Sequence, residues 1–153
     1  MEQIQIKPYV YSESEVTALY HAVGWMYYVN HPEVLKKAYA NSLCTLGAYD
    51  ADKLVGLIRC VGDGYTILFV QDLLVLPAYQ RRGIGTRLMR AVLEKYSYVY
   101  QLELATDNTE KNHFLLSIPG LCSFTGTGLL RVYEKWKSHV EKGDYFFAVR
   151  KNW

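Results

Sequence analysis

The feature that most constrains the fold is a strand–helix–strand pattern in the middle of the chain. Residues 65–76 form a long apolar run, interrupted only by the polar residues Gln71 and Asp72. A pattern typical of an amphipathic helix follows over residues 86–96, and residues 98–105 again have the pattern of a strand. A helix that crosses between two such strands makes them parallel. The sequence therefore predicts a right-handed βαβ unit inside a mixed sheet.

Further helices and strands are predicted on both sides of this unit. Ser12 and Glu15 have the spacing of a capping box and predict the start of a helix that ends at Gly24. Pro32 opens a second helix, since proline is favoured in the first turn. The other predicted strands are short apolar runs at residues 4–10, 46–49, 54–61 and 145–150. These elements predict a mixed α/β protein.

Composition excludes several classes of protein. The chain has 153 residues, of which 50% are hydrophobic and 21% charged, and this balance fits a single globular domain over residues 1–153. A net charge of +2 does not favour nucleic-acid binding. Every apolar run is shorter than the roughly 20 residues of a membrane helix, and the first residues do not resemble a secretory signal. We expect partners other than nucleic acids and membranes.

The cysteines and histidines indicate neither a disulfide framework nor a metal site. The three cysteines, Cys44, Cys60 and Cys122, are odd in number and widely separated, which favours a reducing, cytoplasmic location. No two of the four histidines have the spacing of metal ligands. We therefore expect no bound metal.

The segment with the clearest chemical meaning is the loop over residues 80–86, with the sequence Gln-Arg-Arg-Gly-Ile-Gly-Thr. The N-terminus of the following helix offers unpaired amides and a positive dipole end to an anion. Gly83 and Gly85 allow close backbone approach, while Arg81 and Arg82 add charged donors. The pattern predicts a phosphate or pyrophosphate site. The alternative is an ordinary turn with exposed arginines.

The same residues carry a resemblance to a known family. Residues 80–85 match the Q/R-x-x-G-x-G/A signature of the GNAT superfamily of acyl-CoA-dependent N-acetyltransferases. Residues 73–77 resemble the fourth strand of that family, residues 84–94 its pyrophosphate-binding helix and residues 102–106 its fifth strand. The resemblance extends over about residues 4–112 and includes small bacterial members whose substrates are unassigned.

This resemblance implies a fold and a cosubstrate. The expected fold is α+β, with helices on a central, mixed, mostly antiparallel twisted sheet that splays apart between strands 4 and 5, after Val75. Acetyl-CoA is the expected cosubstrate, with its pantetheine arm along strand 4 and its pyrophosphate on the loop. The residues that match cofactor-binding positions of the family are Leu73, Leu74, Val75, Gln80, Arg81, Arg82, Gly83, Ile84, Gly85, Thr86 and Asn108.

The resemblance leaves the catalytic groups less well defined. An acceptor amine must lose a proton, and Asp72 is the one carboxylate in the apolar run, hence the candidate base. The alternative is that Asp72 accepts hydrogen bonds from a neighbouring loop. Gln71 is a candidate for orienting substrate or water. Trp25 and Tyr28 are candidates for lining the amine pocket through cation–π contacts, the alternative being that they pack on the sheet.

The candidate acid lies in the C-terminal part of the chain. The family pattern N-x-x-x-x-x-F-Y, started at Asn108, reaches Phe114 and then Leu115, so the usual tyrosine is absent. Tyr133 is the candidate acid, and packing is its alternative role. An insertion, the loss of the acid, or an ancestral change of reading frame would each explain the atypical residues 113–153.

With the resemblance, these observations predict an N-acetyltransferase that transfers acetyl from acetyl-CoA to a primary amine of a small molecule or peptide by direct attack in a ternary complex. The alternative is a CoA-binding interaction module of the same fold that has lost turnover, and Leu115 favours it. A generic nucleotide-phosphate binder is a third alternative. The resemblance is compatible with a homodimer, because a final strand such as residues 145–150 can pair in its own sheet or in that of a partner.

Overall fold

The structure is a computed structural model that describes residues 3–106, 110–118, 122–124 and 145–150. It contains a sheet of seven strands with helices on both faces. The strands are β1 (Gln5–Pro8), β2 (Cys44–Asp50), β3 (Lys53–Gly62), β4 (Ile67–Val75), β5 (Gln101–Thr106), β6 (Cys122–Phe124) and β7 (Tyr145–Arg150). The α-helices are α1 (Glu13–Ala22), α2 (Met26–Asn30), α3 (Pro32–Ala40) and α4 (Ile84–Lys95). The two 3₁₀ helices are Pro77–Tyr79 and Glu110–Ser117.

The sheet confirms the predicted mixed, mostly antiparallel topology. The spatial order of the strands is β1-β2-β3-β4-β5-β7-β6. All neighbours are antiparallel except β4 and β5, which are parallel and joined through α4. The βαβ unit is therefore present as predicted. The final strand, β7, pairs with β5 of its own chain, while β6 was not predicted.

Two apolar clusters hold the helices against the sheet. On one face, α1 and α3 bury residues such as Val16, Leu19 and Leu35 against β2, β3 and β4. On the other face, α4 buries Leu88 and Met89 against the same strands and β5. Helices on both faces give a three-layer arrangement in which each sheet face is covered.

One local expectation was wrong, and one short helix was not predicted. Ser12 precedes α1 as its N-cap residue, but its side chain makes no capping hydrogen bond. Its hydroxyl lies 3.2 Å from that of Ser14, and its amide donates to the Tyr9 hydroxyl at 3.0 Å. The capping box with Glu15 is therefore not formed. The short helix α2 was also not predicted, because its Met-Tyr-Tyr-Val-Asn sequence has no helical period of its own.

A β-bulge at Gln71 decides how β4 presents its side chains. Val70 is opposed to Cys60 and Asp72 to Arg59, so Gln71 has no partner on β3. The extra residue reverses the alternation of the strand. Before the bulge, Val70 belongs to the cluster beneath α4, whereas beyond it Asp72 contacts α1 on the opposite face.

The splay between β4 and β5 begins at this bulge. The parallel pairing ends at Val70 and Leu104, whereas β4 continues to Val75. The expectation that the strands separate after Val75 was therefore wrong by several residues. The bulge supplies the reason, because a bulged strand bends and twists away from a straight neighbour.

Candidate functional site

The loop between β4 and α4 has the geometry of an anion site. Arg81 and Gly83 both have left-handed backbone conformations, with φ of 61° and 76°. Gly83 is the N-cap residue of α4, and its carbonyl accepts from the amide of Arg87 at 3.0 Å. Among the described residues, no partner accepts a hydrogen bond from the amides of residues 81–86. These free amides and the dipole of α4 suit a phosphate group.

Side chains hold this loop in place. The Gln80 side-chain amide donates to the carbonyl of Val75 at 3.0 Å, which ties the loop to the end of β4. The guanidinium of Arg82 lies 5.0 Å from the ring centre of Tyr79, and the Tyr79 hydroxyl donates to Asp50 at 2.8 Å. The loop is thus exposed but anchored at three points, as a preorganised ligand site requires.

Gly85 has a second role that the sequence did not reveal. A Cβ at Gly85 would lie 3.1 Å from the ring of Phe114. Thr86 follows on the partly buried side of the first turn, and Ile84 is buried in the core beneath it. The glycine therefore allows the 3₁₀ helix Glu110–Ser117 to pack against the start of α4.

The C-terminal half of β4 has a free edge next to this loop. Leu73, Leu74 and Val75 pair with β3 on one side. On the other side, the pairing with β5 has already ended at Val70. The Val75 carbonyl accepts from the Gln80 side chain, and among the described residues no strand pairs with the rest of this edge, which leaves it open to an extended ligand, as in strand addition. The edge leads directly through Pro77–Tyr79 into the loop over residues 80–86.

Asp72 lies in a buried polar network rather than in an open pocket. It is 1% exposed, and its Oδ2 accepts hydrogen bonds from Arg59 Nε and, at 2.6 Å, from the Tyr20 hydroxyl. The Tyr39 hydroxyl lies 3.3 Å from that of Tyr20. The other oxygen, Oδ1, is buried and has no partner among the described residues. The carboxylate is thus enclosed and already paired with a guanidinium.

The charges of this network shift the protonation of its members. Burial raises the pKa of Tyr20, and the Asp72 carboxylate raises it further, so Tyr20 stays a neutral donor. Burial also raises the pKa of Tyr39. Burial, the largest single influence, lowers the pKa of Arg59, but the charge and hydrogen bond of Asp72 together with the contribution of Tyr20 outweigh burial, so the pKa is raised. The network is therefore a stable ion pair with neutral tyrosines around it.

Sequence reasoning missed Arg59 and Tyr20 as members of this network. Arg59 is the one charged residue of β3 after Lys53, Asp72 is the one charged residue of β4, and the two are opposed in the register. Two opposite charges in adjacent predicted strands were the available signal, since buried charges are nearly always paired. Nothing in the helical pattern of α1 pointed to Tyr20.

The predicted pocket residues lie around this network. The rings of Trp25 and Tyr28 contact the Tyr20 ring edge-on, at centroid distances of 5.9 and 5.4 Å. Trp25 is 40% exposed, Tyr28 is partly buried, and Gln71 is exposed at the bulge. The structure thus connects Trp25 and Tyr28 to Asp72 through Tyr20. Their roles in binding a substrate stay predictions.

The candidate acid and one cofactor-binding candidate fall outside the part of the chain that the structure describes. Tyr133 and Asn108 lie outside the described residues. Leu115, which stands where the family has tyrosine, is 2% exposed in the core beside α4. Its side chain fills an apolar site and leaves no hydroxyl there.

The described residues contain neither a group of metal ligands nor a membrane-crossing helix. No three histidine, cysteine or acidic side chains among them come together as metal ligands. In the same part of the chain, no helix is both long and apolar enough to cross a bilayer.

Comparison with known proteins gives consistent matches. The sequence matches the acetyltransferase (GNAT) family over residues 8–116. An N-acetyltransferase ycf52-like protein of Prochlorococcus marinus is 31% identical over 115 residues, and the match spans 72% of this chain but only 57% of that curated relative.

Solved structures share the fold. A GNAT family acetyltransferase from Streptococcus pneumoniae is 41% identical, with a TM-score of 0.71 over 86% of this chain and 99% of the other. A GNAT family acetyltransferase from Elizabethkingia anophelis, solved with acetyl-CoA bound, is 14% identical, with a TM-score of 0.65 over 99% of this chain and 100% of the other.

Proposed function

This chain belongs to the acetyltransferase (GNAT) family, and from that membership we propose that it transfers acetyl from acetyl-CoA to a primary amine. One observation carries the proposal: an edge of β4 with no partner strand among the described residues leads directly into a loop whose amides likewise have no described partner, at the N-terminus of α4. An extended arm that ends in a pyrophosphate matches both parts. The same proposal treats residues 1–153 as a single acetyltransferase domain.

The cofactor would be held mainly by backbone groups. The pantetheine arm pairs with the free edge at Leu73, Leu74 and Val75, and the pyrophosphate accepts hydrogen bonds from the amides of residues 81–86. Arg82, stacked on Tyr79, adds positive charge at the rim. Asn108 keeps its proposed contact with CoA, on the strength of the resemblance alone.

The transfer step needs a neutral amine and an open path to the thioester. The amine nitrogen attacks the carbonyl carbon, the C–S bond of the tetrahedral intermediate breaks, and the thiolate leaves. A thiol with an ordinary pKa of about 8.5 leaves with little acid help, and Tyr133 stays the proposed acid. The separation of β4 from β5 at the bulge provides the path. Gln71, at the bulge, is proposed to orient the amine or a water.

We assign Asp72 to positioning rather than to proton abstraction. Its carboxylate is buried and paired with Arg59, and it accepts a hydrogen bond from Tyr20. Tyr20 in turn supports the rings of Trp25 and Tyr28, which we propose line the amine pocket. Asp72 would thereby fix the wall of the pocket against β4. The proton of the amine then passes to water in the cleft.

The binding proposal is tested by calorimetric titration with acetyl-CoA. We expect micromolar affinity for the native protein and at least a tenfold loss, about 1.4 kcal/mol, in Arg82→Glu, because the new carboxylate repels the pyrophosphate. Arg90→Glu is the matched control, since it makes the same change of charge at an exposed position further along α4. A folded native protein that does not bind acetyl-CoA, or equal losses in both variants, would contradict the site.

The transfer proposal is tested by release of the CoA thiol with a panel of primary amines. Release that depends on both acetyl-CoA and an amine supports transfer. Tight binding without release from any amine would instead support the CoA-binding module. The role of Asp72 is read from the pH profile of folded Asp72→Asn: a positioning role lowers kcat but leaves the acidic limb in place, whereas loss of a general base removes that limb.

Assembly and location complete the proposal. We also propose a cytoplasmic location, and a homodimer because the resemblance is compatible with one, and light scattering of the purified chain tests the homodimer. A mass of one chain at micromolar concentration would contradict it.

A further inference from the structure

We propose that Cys44 and Cys60 form a modification site, in which a peroxide oxidises the two thiols to a disulfide between β2 and β3. The register of the sheet carries this inference, because Cys44 and Cys60 are directly opposed in the antiparallel pair. Directly opposed residues project to the same face of a sheet. Both side chains indeed belong to the cluster on the α4 side.

The distances that this register imposes suit a disulfide. Directly opposed residues of an antiparallel pair have Cα atoms about 4.5–5.5 Å apart, within the range of about 4.4–6.8 Å found in disulfides. Their Cβ atoms lie about 4.5–5.5 Å apart, whereas a disulfide needs about 3.5–4.5 Å. A small approach of the strands closes this difference. Cys44 is the first residue of β2, where such a movement disturbs the ladder least.

The two thiols differ in a way that sets the order of reaction. Cys44 is 6% exposed, and its Sγ accepts a hydrogen bond from Nζ of Lys95 at 3.9 Å. Lys95 itself is exposed, so the Cys44 side of the pair lies next to solvent. Cys60 is wholly buried, and burial raises the pKa of its thiol. Cys44 therefore meets the oxidant first, and Cys60 is the resolving thiol.

The reaction balances with a peroxide as the only oxidant. The Cys44 thiolate attacks one oxygen of hydrogen peroxide, the O–O bond breaks, and a sulfenic acid forms while hydroxide takes up a proton to give water. The sulfur of Cys60 then attacks the sulfenic sulfur, and the S–O bond breaks. The oxygen leaves as a second water with the proton of the Cys60 thiol. Two thiols are oxidised to one disulfide, and one peroxide is reduced to two waters.

The test uses the full chain with Cys122→Ser, so that only the two thiols of the site remain. The folded protein is treated with hydrogen peroxide, free thiols are blocked, and the masses of the tryptic peptides are measured by mass spectrometry. We expect peptides 38–53 and 60–81 to be joined, with a loss of about 2 Da for the two hydrogens. A Lys95→Met variant is expected to oxidise several-fold more slowly, because it lacks the hydrogen-bond donor beside the Cys44 sulfur.

Matched controls separate the proposal from general thiol oxidation. Cys60→Ala in the same background is expected to stop at a sulfenic acid on Cys44 that a carbon nucleophile such as dimedone traps. The proposal is overturned if both thiols of the folded protein remain unmodified. It is equally overturned if the joined peptides appear only in denaturant, or if Cys44 is oxidised without linking to Cys60.

Discussion

Breaking the buried ion pair between Arg59 and Asp72 should lower the free energy of unfolding more than removing any exposed charge in the described part of the chain would. The two side chains are only 7% and 1% exposed. Replacing one partner of a buried pair leaves the other charge without compensation, which costs about 3–5 kcal/mol. We therefore expect Asp72→Asn and Arg59→Met each to lower the free energy of unfolding by about this amount, measured by urea denaturation followed by circular dichroism.

The double variant distinguishes a coupled pair from two independent contacts. With both charges removed, no unpaired ion is buried, so Arg59→Met with Asp72→Asn should cost less than the sum of the single changes by about 2–3 kcal/mol. Glu33→Gln is the control, because its pair with His31 is exposed and its loss should cost less than about 1 kcal/mol. Additive single effects would refute the reasoning that the two charges stabilise each other.

Three further changes test other parts of the structure. Hydrogen bonds from the Thr66 side chain and from the amides of residues 65–67 lower the pKa of Asp63. The stabilisation that they give the folded protein is present above the unfolded pKa of about 3.9 and is lost at lower pH. Asp63→Asn should therefore flatten the acid side of a plot of melting temperature against pH. Gly62→Ala should lower the melting temperature by several degrees, because φ is 134° and the new Cβ would lie 2.4 Å from the Ile67 carbonyl oxygen. Gly85→Ala should destabilise the native protein by about 1 kcal/mol, measured by urea denaturation, because the new Cβ would press on the ring of Phe114. The same change should cost less in a Phe114→Ala background, and equal effects in the two backgrounds would contradict the contact.

Local pattern was sufficient to predict most elements near the site. The loop over residues 80–86, the helix after it and the parallel pair β4–β5 all follow from short-range signals: glycines at a helix start, a helical period and two apolar runs. The capping box at Ser12 failed because the Tyr9 hydroxyl lies within hydrogen-bonding distance of both the Ser12 amide and the Ser12 carbonyl, at 3.0 and 3.2 Å. Tyr9 lies between β1 and α1 and is buried in the same cluster as Val16 of α1, and the capping motif carries no sign of this contact.

The sequence alone determined the order of most elements, the glycine-containing loop before α4 and the family resemblance, because each depends on residues close together in the chain. The tertiary structure decided the rest. The bulge at Gln71 turned Asp72 toward Tyr20 and Arg59, and no period marks a bulge in a run that is apolar on both faces. The register of β2 and β3 likewise brought Cys44 and Cys60 together. Pairing across strands depends on which residues meet after folding, and this information is not local.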